Sequence, residues 1–379
     1  MIKKTQHLIT TIKTFRVFIL LHIQKYCSYK NYNIESNKIK TIINIFNMEK
    51  VRITEFADPV CTWCWGSSPV TRAIEYRYNG MVEIEYSMSV LIDNIRTFNN
   101  RRLQIGGEEI EIKNRRIIEH WLEASTTHGM PVEKNHFHLF SDEHLSTAPQ
   151  CRAYITARMY DTKSNGNKIE HNRAKRYLRR IQECTACEAM QTCDYDILSD
   201  IAATEGYEPA KFKVMMRSGD VTRQFEKERL AALRYGVDTT PTYIIRYKDK
   251  EEIIRGYTPY IEMEKLITRI TNGKIVPDTD SASNKGKHLA ATCKNIHNFI
   301  SHYKSTYPAE IAAAFGLIRK EGHSALNIES YESLPDLLEK LIKEKSITIT
   351  PKANSFMIYS TENELNETQK KERHYAGYF

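Results

Sequence analysis

The sequence is poor in the features that mark several large protein classes. It has only 15 glycines in 379 residues, and none are spaced as a phosphate-cradling loop, which argues against nucleotide chemistry carried by such a motif. No Ser, His and Asp ordering supports a hydrolase triad. The apolar run Phe15-Arg16-Val17-Phe18-Ile19-Leu20-Leu21 is broken by an arginine and falls far short of the ~20 residues of a membrane helix. Eight cysteines in so long a chain are too sparse for a disulfide scaffold. The formal charge of +8 is also misleading: residues 1–47 carry eight Lys/Arg against the single acid Glu35, leaving +1 for the rest. A near-neutral body gives no ground for general polyanion binding.

Residues 1–47 are rich in Ile, Asn, Lys and Thr, with neither helix caps nor strand alternation. Met48 directly precedes the first regular element, so this segment is expected to be a disordered or non-native leader. Its apolar run follows basic residues, as in a secretory signal, but no small-residue cleavage site follows it. A reducing cytoplasm is therefore the expected compartment. At 41% apolar residues the remaining chain can build a core, and its length suggests about two domains.

The stretch that stands out is Asp58-Pro59-Val60-Cys61-Thr62-Trp63-Cys64-Trp65-Gly66. An apolar strand over 51–56 runs into it, and a helix starting near Cys61 leaves it, with Ala73, Ile74 and Tyr78 at helical spacing. A thiol at a helix start faces unpaired N–H groups, which favour the thiolate. The thiolate is the nucleophile of disulfide exchange, and a second thiol one turn on can resolve a mixed disulfide. A bare C-x-x-C is equally half of a zinc site. Far downstream, Val237-Asp238-Thr239-Thr240-Pro241-Thr242 reads as a turn whose proline opens an apolar strand.

Together these two stretches resemble the thioredoxin-like superfamily, specifically its DsbA branch. The D-P-x-C-x-W-C-W-G form is most similar to that branch's predicted cytoplasmic disulfide isomerases. The resemblance covers roughly residues 48–272. It implies an α/β thioredoxin-like fold, a cis-proline at Pro241 facing the cysteines, Cys61 as nucleophile and Cys64 as resolving thiol. Glu55 falls where the family places a buried acid that takes the resolving thiol's proton, although a solvated strand carboxylate is the plainer reading. Thr240 would offer its backbone to a bound peptide. Trp63 and Trp65 supply apolar area for a peptide site, with core packing the alternative for Trp65. Thr62-Trp63 stands where the best-known family members have Pro-His, so no imidazolium lies between the cysteines and a strongly oxidising poise is in doubt.

Beyond a second strand over 81–88, residues 99–235 read as a helical domain inserted into the thioredoxin unit, with helices over 115–124, 149–160, 171–183, 195–204, 209–217 and 224–235. Strands over 240–246 and 252–255 and a helix over 261–271 close the unit, giving a domain of residues 48–275. Residues 276–287 have linker composition. Residues 288–360 read as a separate small α+β module, three helices (288–303, 309–320, 334–345) and a hairpin over 347–359, in a winged-helix-like pattern. Residues 361–379 read as a tail.

Other chemistry-bearing residues carry weaker signals. Cys184, Cys187 and Cys193 in the inserted region suit buried packing, a second redox pair or, with His171 or Cys151, a metal site. His136 and His138 suit a surface loop, and Cys27, Cys151 and Cys293 have no partner pattern. The expected function is thiol–disulfide exchange on protein or peptide disulfides, with no cofactor, no metal, no membrane and no nucleic acid. One alternative is a thioredoxin-like adaptor that presents clients to a protease or regulator, its C-terminal module contacting a protein partner. Another is a glutathione-dependent isomerase or transferase.

Overall fold

The computed structural model describes residues 49–135, 138–164, 173–278 and 289–361. The expected leader, most of the linker, all but the first residue of the tail, and His136 and His171 lie outside these residues. Strand β1 (Val51–Ala57) is the spine of the sheet. The period of two sets Val51, Ile53 and Glu55 on one face, and all three are buried. Phe56 turns to the other face, where it packs with Ala232 and Ile244.

β2 (Val82–Met88) runs parallel to β1, so the chain must cross over between them. Helices α1 (Thr62–Gly66) and α2 (Ser68–Arg77) make that crossover. β3 (Thr242–Tyr247) lies antiparallel on the other side of β1, and β4 (Lys250–Arg255) pairs with β3 at the edge. The order β2-β1-β3-β4 puts the C-terminal end of β1, and the loop leaving it, at the middle of the sheet. Helix α9 (Tyr260–Thr271) then packs Met263, Ile267 and Ile270 onto the β1–β3 face.

Six helices fill the insertion between β2 and β3: α3 (Ile110–His128), α4 (Ala148–Ser164), α5 (Arg173–Glu188), α6 (Tyr195–Thr204), α7 (Pro209–Met216) and α8 (Gly219–Arg234). Asp194 and Ser218 accept backbone N–H groups at the starts of α6 and α8, as N-caps do. The Ser218 cap is why α8 begins before the expected 224. α3 also outruns its expected span at both ends. Its early turns carry Lys113 and Asn114, which are polar yet buried. The Lys113 ammonium is held by the carbonyls of Ile95 and Arg96, so polar residues masked the buried face.

The C-terminal segment runs α10 (Cys293–Tyr303), β5 (Ser305–Thr306), α11 (Pro308–Phe315), a short 3-10 turn (Ile328–Ser330), α12 (Leu334–Lys343), β6 (Ile347–Lys352) and β7 (Ser355–Ser360). β5 adds a third strand to the expected hairpin, in the order β5-β7-β6. α11 stops short of the expected 320 because Gly316 adopts a left-handed conformation, φ 63°, a common helix end.

The polar composition of residues 276–287 predicts a separate module here, but packing joins this segment to the body. Phe299, Ile311, Phe315, Leu338 and Ile358 share one hydrophobic cluster with Val51, Ile74, Tyr243 and Ile267. α11 lies along α2. Apolar faces of both parts are buried against each other, which polar linker composition alone does not disclose. Among the described residues, no helix is long and apolar enough to cross a membrane.

Candidate active site

Asp58-Pro59-Val60 turns the chain from β1 into α1. The Cys61 N–H donates to the Asp58 carbonyl (3.0 Å), and the Trp65 N–H donates to the Cys61 carbonyl (3.0 Å). Cys61 is the N-cap residue of α1, and both it and Cys64 are free thiols, 4% and 3% exposed. α1 is only five residues long, so the helix dipole invoked from the sequence is short. The nearer groups decide.

The Thr240–Pro241 bond is cis, and the Cys61 thiol donates to the Thr240 carbonyl at 3.3 Å. Thr240 Oγ1 is buried with no other partner, and it is this hydroxyl that can donate to the sulfur once it is ionised. Burial alone would raise the Cys61 pKa, but the Cys64 thiol, Thr240 and the Cys64 N–H outweigh it and hold Cys61 below an ordinary thiol. Burial, then the Cys61 sulfur and the Glu55 charge, push Cys64 well up. The two thiols titrate as a pair, with the proton resting on Cys64.

Glu55 is 1% exposed, not on a solvated face, and its Oε2 has no hydrogen-bond partner. Desolvation, and next the charge of Cys61, raise its pKa well above the carboxylate range. Asp58, which the sequence reading passed over, is fully buried. Its Oδ1 accepts from Val60 N (2.7 Å); Oδ2 accepts from Leu91 N (2.7 Å), Thr147 Oγ1 (2.5 Å) and the Cys151 thiol (3.7 Å). It thereby ties the loop before Cys61 to the insertion. Burial raises its pKa to about 6 despite those donors. The signal was present, since Asp58 stands within the motif.

His128, at the end of α3, gave no such signal. Its Nδ1 accepts from Met130 N (3.1 Å), so the proton sits on Nε2, which donates to Thr62 Oγ1 at 3.3 Å. Burial lowers its pKa to about 3, so it stays neutral and supplies no charge to the thiols. Its ring lies against Gly66, where an added Cβ would come within 2.5 Å. That close approach explains the glycine ending the motif.

The two tryptophans separate. Trp63 is half-buried and touches His128 (5.7 Å), His120 (6.2 Å) and Tyr257 (5.6 Å). Tyr257 leads into a groove of about 360 Å³ between the body and the C-terminal segment, lined also by Pro69, Ile261, Ala312, Leu317 and Arg319. Trp65, expected at a peptide site, is 1% exposed and cannot meet a substrate. Its Nε1 donates to the Pro131 carbonyl (2.9 Å), and its ring packs against Tyr307 and Arg179.

The remaining thiols are dispersed into packing. Cys184, Cys187 and Cys193 are buried; the Cys187 thiol donates to the Pro131 carbonyl (3.3 Å), and Cys193 accepts from Gln150 (3.2 Å). Burial raises all three, Cys193 to about 12. Among the described residues no group of three or more His, Cys, Asp or Glu is placed to hold a metal ion.

A central β1 carrying C-x-x-C into a helix, with a cis-proline facing the first thiol, is a thioredoxin-like arrangement. A family model described as thioredoxin matches residues 55–265, more than half of the chain, and the chain belongs to that family. A curated relative, the ClpXP adapter protein SpxH of Halalkalibacterium halodurans, is 20% identical over 313 residues, covering 82% of this chain and 89% of that one. Among solved structures, the cytosolic disulfide reductase DsbM of Pseudomonas aeruginosa is 19% identical, covers 54% of this chain and 88% of that one, and gives a TM-score of 0.42. The DsbA of Chlamydia trachomatis is 16% identical, covers 61% of this chain and 91% of that one, and gives 0.39.

Proposed function

We propose that the protein is a cytoplasmic thiol–disulfide oxidoreductase or isomerase acting on protein or peptide disulfides. The observation that carries the reading is the setting of the two thiols where the central strand β1 enters α1, with the Cys61 sulfur 3.3 Å from the Thr240 carbonyl; the opposed directions of the two thiols agree with it. The Cys61 thiolate attacks one sulfur of a client disulfide, forming a mixed disulfide and releasing the other client sulfur as a thiolate. Cys64 then loses its proton and attacks the Cys61 sulfur. The second client thiolate leaves, and the Cys61–Cys64 disulfide remains; two electrons have passed to the client. The reverse sequence oxidises a client dithiol.

Glu55 suits the proton transfer because its pKa is raised in part by the Cys61 charge. Once Cys61 is bound in a mixed disulfide that charge is gone, the carboxyl ionises more readily, and it can accept the Cys64 proton. Thr240 and Pro241 stand beside Cys61 to meet the client backbone, and Trp63 with the groove beyond Tyr257 offers apolar area for the client chain. Iodoacetamide labelling with peptide mass mapping tests the assignment. Cys61 should label well before Cys64 at mildly acidic pH, and Cys61→Ala should abolish insulin reduction. Equal labelling of the two thiols would remove the assignment.

A second reading has one observation in its favour. The alignment with the ClpXP adapter, over 313 residues, is longer than the thioredoxin match over 55–265. An adaptor that presents a client to a protease would keep partner capture when Cys61 and Cys64 are both changed to Ala. An oxidoreductase would lose its turnover.

A further inference from the structure

The C-terminal segment reaches the back of the cysteine helix by two routes. The first is aromatic. Trp65, the residue after Cys64, meets the edge of Tyr307 at 5.9 Å, and the Arg179 guanidinium lies over both rings, at 5.1 and 5.5 Å. Tyr307 is the N-cap of α11 and fully buried. Its hydroxyl donates to Glu183 Oε1 on α5 (2.5 Å). Glu310, one turn into α11, is wholly buried and holds Arg179 of α5 together with Arg72 of α2.

The second route runs through the chain that follows α3. Arg319 donates to the Thr126 and Thr127 carbonyls, the Ala325 N–H donates to the Thr126 carbonyl (3.0 Å), and Asn354 accepts the Val132 N–H (2.8 Å). Gly129, with φ +76°, lies so close that an added Cβ would be 2.5 Å from Ala309 Cβ and 2.7 Å from the Ala325 carbonyl. These contacts fix the stretch that carries His128, which rests on Thr62, Trp63 and Gly66, and Pro131, which accepts from Trp65. Two supports of α1 outside the sheet, Trp65 and the stretch that carries His128, are thus anchored by residues beyond 300.

We propose that Tyr307 is a positioning residue for the Cys61–Cys64 pair: by holding Trp65 it keeps α1 closed, and so sets the reactivity of the Cys61 thiol. The inference rests on reading Cys61 as the reacting thiol. What favours the Cys61 thiolate is the Cys64 thiol and N–H, one turn along α1, together with Thr240. The other ionisable groups facing it are Glu55 and Asp58, whose charges oppose it. If Trp65 loses its support, the turn loosens, the Cys64 donors draw away, and the thiolate becomes less favoured.

The test is the iodoacetamide rate of Cys61 at pH 6.5 in the full chain, with near-ultraviolet circular dichroism to confirm folding. Tyr307→Leu keeps the site apolar but removes the ring and hydroxyl. It should slow Cys61 labelling by roughly three- to tenfold, a rise of up to one pKa unit. Tyr307→Phe keeps the ring on Trp65 and should label within about twofold of wild type, even if it is less stable. A folded Tyr307→Leu protein that labels at the wild-type rate overturns the inference. If that variant does not fold, Tyr307→Met, an unbranched side chain that likewise lacks the ring, takes its place with the same expected slowing, and a wild-type rate there overturns it equally. Equal labelling of Cys61 and Cys64 in the wild type overturns the reading of the site and this inference with it.

Discussion

Glu310→Gln perturbs the junction of body, insertion and C-terminal segment at one atom pair. The Glu310 carboxylate is fully buried and accepts from Arg72 Nη1 (3.0 Å), Arg179 Nη1 (2.8 Å) and Nη2 (3.2 Å), Thr306 Oγ1 (3.1 Å) and Tyr307 N (2.9 Å). Glutamine keeps the shape but turns an N–H donor toward other donors and leaves two guanidinium groups without their shared anion. Removing one partner of a buried ion pair costs about 3–5 kcal/mol. Arg72 and Arg179 retain 11% and 17% exposure, and Arg179 still has the Glu183 charge nearby, so the lower end applies. With a urea slope of about 3 kcal/mol per molar, a loss of about 3 kcal/mol lowers the midpoint by about 1 M. The assay is urea unfolding followed by far-ultraviolet circular dichroism and tryptophan fluorescence together. Because the C-terminal segment and the β1–β3 face share one core, both probes should report a single transition. A midpoint shift below about 0.3 M, or separate transitions for the two parts, would refute the reasoning.

Asp58 and His128 should oppose each other in the pH dependence of stability. Between about pH 4 and 6 the folded state holds a proton on Asp58 that the unfolded chain has released, so stability falls as pH rises. Over the same range the unfolded chain protonates His128 and the folded state does not, so stability rises with pH. The two slopes, each about 1.4 kcal/mol per pH unit, nearly cancel. Glu55, also buried with a raised pKa, adds a falling slope of its own, so the readout is the change from wild type: Asp58→Asn should tilt the profile upward with pH and His128→Gln downward, and wild-type profiles in both variants would contradict the burial argument. Gly66→Ala should lower the thermal midpoint by several degrees, since its methyl group meets the His128 ring and overpacking costs about 1–3 kcal/mol. A wild-type melting curve would show that the helices can separate freely. Glu55→Gln should slow resolution, so that mixed disulfides with clients accumulate on non-reducing gels, while Cys61 still labels quickly; resolution at the wild-type rate would exclude Glu55 as the proton acceptor.

The residues of the candidate site were legible because they are local. Cys61, Cys64, Trp63 and Gly66 lie within one turn or two of a strand end, whereas Glu55 was left between a solvated carboxylate and a buried acid until the fold showed its face buried with Val51 and Ile53. Pro241 was legible for a different reason, since a proline opening an apolar strand is confined by its missing N–H to few positions. Helix ends were less so: Lys113 and Asn114 broke the apolar pattern of α3, and only the tertiary fold shows that carbonyls from residues 95 and 96 satisfy the buried ammonium. Trp65 and the C-terminal segment mark the limit. The sequence shows an aromatic residue beside a thiol and, far beyond a polar linker, an amphipathic tail of elements. Whether that tryptophan faces a client or Tyr307, and whether α11 faces water or α2, depends on contacts between residues more than 200 positions apart. No periodicity encodes such pairings, because hydrophobic burial is non-directional and any apolar face can accept another. His128 was hidden likewise: its role comes from the approach of α3 to Gly66, a matter of backbone distance that only the folded chain decides.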